Sequence, residues 1–60
     1  MEFKYNIGDK VKTFDLGVYN LLVEVKILDC FIGENEPYYR VQETKRKERF
    51  YYRNESEIKK

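Results

Sequence analysis

Hydrophobic and charged residues alternate strictly in the middle of this chain, and that alternation limits the fold more than any other feature. Val23, Val25 and Ile27 fall on one side while Glu24 and Lys26 fall on the other. A period of two belongs to the pleat of a β-strand, whose successive side chains point to opposite faces. The pattern then slips, because Leu28, Cys30 and Ile32 occupy the side that Glu24 and Lys26 had used. A one-residue slip exchanges the two faces, so a bulge or sharp bend is expected near Leu28 and Asp29. Bent long strands are how small barrels close.

Shorter strands are expected on either side. Gly8 and Asp9 form a turn signal before a run in which Val11 points inward and Lys10 and Lys12 outward. Residues 14–20 break any helical period at Gly17 and read as an irregular loop whose aromatic residues cap the core or face a partner. After the polar segment 33–37, Tyr38 to Glu43 alternates again with Tyr39 and Val41 as the inner pair. The charged residues 44–48 make a hairpin tip too polar to bury. Arg49, Phe50, Tyr51 and Tyr52 form the fourth strand, with Arg49, Tyr51 and Arg53 expected to face outward. Asn54 with Glu57 three positions on is a capping pattern for a single helical turn before Ile58 re-enters the core. Val25, Ile27, Tyr39, Val41, Phe50 and Ile58 are thus expected to share one water-free interior.

The chain has 60 residues, which suits one small domain. A chain of this size buries only about 60% of the surface its unfolded form exposes, so stability must come from a few large side chains. Aromatic residues supply 17% of the sequence, enough to build such a core. Histidine is absent and Cys30 is the one cysteine, which removes histidine-dependent triads, the usual zinc sites and an internal disulfide. Cys30 sits among apolar neighbours and is expected to act as a small hydrophobe. The first residues lack a basic region followed by an apolar run of about 7 to 15 residues, so a cytoplasmic location is expected. The apolar stretch 18–23 is far shorter than the roughly 20 residues that span a bilayer, so no membrane role is expected.

The order of motifs resembles the SH3-like small barrels, among them Tudor-type, KOW-type and CarD-type domains. The resemblance is carried by Gly8, Asp9, Lys10 and Val11 at the start, the long strand 23–31, Tyr39 and Val41, the basic hairpin tip, the aromatic fourth strand, and Glu55 to Ile58 at the end. The chain departs from the KOW pattern after Gly17, and it has no tryptophan for a proline-peptide groove. The resemblance implies an all-β fold, a small SH3-like barrel of about five strands with one short helical turn before the last strand. A single domain over residues 1–60 is expected, with 59–60 as a loose tail. Fold alone does not name a ligand.

The charges are polarised. Residues 37–60 carry a balance of +4 and residues 1–36 a balance of −3, although the whole chain is only +1. Paired tyrosines at 38–39 and 51–52 must place one ring on each face of their strands. With Tyr38 and Tyr51 taken as the outer rings, Tyr38, Arg40, Tyr51 and Arg53 form a candidate protein-binding surface, since tyrosine and arginine are enriched in interfaces. The expected function is a non-enzymatic interaction module that binds another protein or itself as a homodimer. The alternative is nucleic-acid binding through Lys45, Arg46, Lys47, Arg49 and Arg53, with bases stacking on Tyr51. Catalysis is not expected, because a barrel this small, filled by its own side chains, has little room for a pocket. No cofactor, metal or small-molecule substrate is implied.

Overall fold

A computed structural model describes residues 2–18 and 20–60. The chain forms five antiparallel strands in one curled sheet, a half-barrel: β1 (Lys10–Phe14), β2 (Leu22–Phe31), β3 (Tyr38–Glu43), β4 (Phe50–Asn54) and β5 (Ile58–Lys59). Their spatial order is β4-β3-β2-β1-β5. The only helical element among the described residues is a 3₁₀ turn, Glu55–Glu57, immediately before β5. Its start is fixed as the sequence pattern requires, with the Asn54 N–H donating to the Glu57 carboxylate at 2.7 Å. Lys59 pairs with Lys12 across β1 and β5. Among the described residues no helix is long and apolar enough to cross a membrane.

The ten-residue β2 carries the curl. Its pairing with β3 shifts register between Ile27 and Asp29, leaving Leu28 as the extra residue. The slip in the alternation is therefore a bulge, and it lets Val25, Ile27 and Cys30 all turn toward the core. A second constraint acts at the mouth of β1. Gly8 takes a φ of 95°, a left-handed conformation that glycine adopts without steric cost, and its N–H donates to the Ile27 carbonyl at 2.8 Å.

The core comprises Tyr5, Val11, Val25, Ile27, Tyr39, Val41, Tyr51 and Ile58. Five of the six residues expected inside are there. Phe50 is not, being 46% exposed, and Tyr51, expected outside, is only 8% exposed in its place. The cause is the register of the β3–β4 hairpin, which sets Val41 opposite Tyr51 and Gln42 opposite Phe50. The ring on the face of Val41 is buried, so β4 is rotated by one residue from the expected facing.

Each inner tyrosine brings its hydroxyl to a partner. Tyr5 Oη donates to the Ile58 carbonyl at 3.0 Å, Tyr39 Oη to Glu55 Oε2 at 2.6 Å, and Tyr51 Oη to Glu43 Oε2 at 2.8 Å. A buried hydroxyl without such a bond would cost about 1–3 kcal/mol, so these contacts are what permits three polar rings in so small a core. The segment before β1 is tied down by the same device. The Lys4 N–H donates to Glu55 Oε2 at 3.0 Å and to Tyr39 Oη at 3.1 Å, while the Tyr5 N–H reaches Tyr39 Oη at 3.3 Å.

Candidate functional site on the outer sheet face

The residues that alternate with the core on β2, β3 and β4 make up the outer face of the sheet. The register places Phe31 opposite Tyr38, Asp29 opposite Arg40, and Arg40 in turn opposite Tyr52 on β4. Three aromatic side chains meet there. Phe31 and Tyr38 stack with centroids 5.0 Å apart and planes 18° apart. Tyr52 packs edge-on to both, at 6.0 Å from Phe31 and 6.1 Å from Tyr38. These are the offset and edge geometries that ring quadrupoles favour. Phe50, two residues before Tyr52 on the same face, has the Arg40 guanidinium 5.2 Å from its ring centroid. Arg40 also approaches Asp29 at 3.9 Å.

Gly33 makes room for this cluster. A Cβ there would collide with the Glu36 carbonyl oxygen and come within 3.2 Å of Tyr38 Cδ1. The β2–β3 loop therefore folds tightly against the Tyr38 ring. Tyr52 remains 59% exposed, and neither its hydroxyl nor that of Tyr38 has a hydrogen-bond partner among the described residues.

The four residues of the expected protein-binding surface do not share a face. Tyr38 and Arg40 lie outside, whereas Tyr51 and Arg53 follow the inward phase of β4. Arg53 lies over the Tyr51 ring at 4.5 Å and the Phe14 ring at 5.4 Å, and donates to the Phe14 carbonyl at 3.2 Å and the Tyr52 carbonyl at 3.1 Å. Its Nε is buried with no hydrogen-bond partner among the described residues. Tyr51 cannot serve as an exposed stacking ring.

The expected basic set also divides. Lys45, Arg46 and Lys47 stand exposed at the hairpin tip. Arg49 is drawn into an ion network, 3.5 Å from the buried Glu43 and 3.4 Å from Asp15. Asp15 accepts from the N–H groups of Gly17 and Val18 as well, and the Gly17 bond foremost holds its carboxyl below the usual range, with Arg49 adding to the effect. Tyr51 is shifted the other way: burial first, then its bond to Glu43, disfavours the phenolate. Arg49 and Arg53 thus hold the β1–β2 loop and β4 in place, and Tyr19 of that loop lies outside the described residues.

Register brings together a basic group that the sequence reading did not assemble. Lys10 faces Lys26 across β1 and β2, Lys26 faces Gln42 across β2 and β3, and Gln42 faces Phe50 across β3 and β4. This row ends at the aromatic cluster. Gln42 Nε2 donates to the Lys47 carbonyl at 2.7 Å, which folds the hairpin tip back over the row. Lys10, Lys26 and Lys47, with Gln42, Glu43 and Thr44, line a basin of about 360 Å³. No family model, curated protein or solved structure matches the chain.

Proposed function

We propose that this chain is a non-enzymatic interaction module, an SH3-like barrel that docks a macromolecular ligand on the outer face of β2, β3 and β4. The observation that carries this reading is the cluster of Phe31, Tyr38 and Tyr52 on the face the core does not use, with Phe50 and Arg40 continuing it along the strands. Tyr52 and Phe50 stay largely in water while Phe31 and Tyr38 are half-buried, and exposed rings forgo burial that a 60-residue domain needs, so rings gathered at one outer site favour a ligand that covers them. The buried Glu43 is already engaged by Tyr51 and Arg49, and the half-buried Glu55 by the Tyr39 hydroxyl and the Lys4 N–H.

Binding to another protein through Tyr38 and Arg40 is the second reading, favoured by the ring-rich end of the face. A homodimer formed by pairing β4 edges is opposed by two local bonds. Arg53 donates to the outward carbonyl of Tyr52, and Glu57 accepts the Asn54 N–H, so part of the edge is already satisfied.

Affinity capture from the native host, with both protein and nucleic acid analysed, tests the site. Some macromolecule held by the immobilised chain is expected to disappear when Tyr52→Ser and Phe50→Ser are used instead. Identical recovery with and without those rings overturns the reading.

A further inference from the structure

The ligand class follows from what lies beside the rings. We infer that the outer face binds single-stranded nucleic acid, with phosphates in the lysine basin and bases on the rings of β4; this rests on the proposed use of that face.

Two observations carry the inference, and neither depends on the other. The first is electrostatic. Lys10 and Lys26 are direct cross-strand neighbours, a like-charge arrangement that destabilises a sheet, and Lys47 closes the basin beside them. None of the three has an ion-pair partner among the described residues. Three acids of β2 and β3 have other partners. Glu24 accepts from the Thr44 hydroxyl at 2.9 Å, Asp29 lies by Arg40, and Glu43 is buried under Tyr51 and Arg49. A phosphate chain relieves that repulsion. Lysine and glutamate are depleted from protein–protein interfaces, so a lysine row running into the rings favours a polyanion over a protein surface.

The second observation is the spacing of the exposed rings. Phe50 and Tyr52 stand two residues apart on one face of β4, about 7 Å along the strand, and both remain largely open to solvent. Sequence-tolerant single-strand binders use this combination, aromatic platforms for successive bases beside a cationic track for the backbone. A duplex keeps its bases stacked inside and cannot use the rings. The expected basic hairpin contributes Lys47 to the track, while Arg49 and Arg53 remain structural.

Fluorescence anisotropy with a labelled oligothymidylate of about 15 nucleotides and a matched DNA duplex tests the inference across about 25 to 250 mM salt. The single strand is expected to bind preferentially, its log affinity falling with log salt at a slope of about −2 for three lysine contacts. Lys26→Gln is expected to reduce that slope by about 0.7 without lowering the melting temperature, because it removes one of two opposed like charges. Tyr52→Ala is expected to weaken binding by about tenfold at an unchanged slope. Equal binding of duplex and single strand with no dependence on Tyr52 would mean diffuse charge attraction and overturns the inference. No oligonucleotide binding at low salt, together with Tyr52-dependent capture of a protein from the host, overturns it while leaving the use of the face intact. Loss of both removes the inference and the functional reading together.

Discussion

The two faces of the β3–β4 hairpin carry the same kind of residue under opposite conditions. Tyr39 and Tyr51 turn inward, are closed off from water and donate their hydroxyls to carboxylates. Tyr38 and Tyr52 turn outward and touch mainly each other and Phe31, with hydroxyls that no described residue engages. One set of rings is specified by the fold, whose packing and polar groups fix each atom. The other set costs the fold little to change. A residue type alone therefore says nothing about role in this chain; the parity of its position does.

If that division is right, the inner rings should dominate stability. Tyr39→Ala is expected to cost about 3–5 kcal/mol, the range for emptying a buried aromatic site. A domain of this length holds on the order of 3–9 kcal/mol in total, so the variant should show no cooperative thermal transition by circular dichroism. A sharp transition near that of the parent would break the comparison at its strongest point.

Alkaline pH attacks the same rings without mutation. Burial, reinforced by the bond to Glu55, pushes the Tyr39 hydroxyl from 10.0 up to about 12, and Tyr51 is raised as well. A group whose folded value is raised contributes its stability fully below the unfolded value and loses it as pH climbs toward the folded one. Stability should hold to about pH 10 and then fall through about pH 12, by on the order of 2 kcal/mol for Tyr39. Denaturant midpoints measured across that window should show this fall, and Tyr39→Phe should flatten part of it. At the acid end the direction reverses. The Tyr39 hydroxyl foremost, then the Lys4 N–H, hold Glu55 below its usual range, so its contribution is lost as pH drops beneath the ordinary carboxylate values.

A milder change isolates the polar half of the inner arrangement. Tyr51→Phe keeps the ring under Arg53 but strips the Glu43 carboxylate of its 2.8 Å donor, leaving Arg49 at 3.5 Å. A hydrogen bond to a charged acceptor contributes about 1.5–3 kcal/mol, and urea titration should register a loss near the lower value because Arg49 remains. The matching Tyr52→Phe change should register almost none.

Much of this arrangement was legible from the chain alone, and the exception is informative. The slip at Leu28 announced the bulge because faces exchange when one residue is added. Asn54 and Glu57 announced the 3₁₀ turn through a local bond that needs no tertiary information. The facing of β4 was not legible from β4, since Phe50, Tyr51 and Tyr52 are aromatic at every position and satisfy a period of two in either phase. What decides the phase is the hairpin register. A signal for it was present in the opposite charges of Glu43 and Arg49, which close the hairpin: the Glu43 N–H donates to the Arg49 carbonyl at 3.1 Å. Taking that pair as opposed puts Tyr51 across from Val41 and inside. The lysine basin needed still more, because Lys10, Lys26 and Lys47 come from three separate segments that only sheet order brings together.

The smallest stability effect belongs to the outer rings, and it is the one that separates fold from function. Tyr52 is largely exposed, its hydroxyl is unengaged among the described residues, and it meets Phe31 and Tyr38 only at their edges. Replacing it by alanine removes two edge contacts of about 0.5–1.5 kcal/mol each at most, and exposure cuts this further, so the net change should lie within about 1 kcal/mol. The same substitution deletes the most accessible ring of the proposed docking face. Equilibrium urea unfolding and oligonucleotide anisotropy on one preparation should therefore diverge, with the folding midpoint nearly unmoved and the affinity reduced about tenfold. A loss of several kcal/mol on folding would mean that the outer rings are as structural as the inner ones, and the contrast between the two faces would fail.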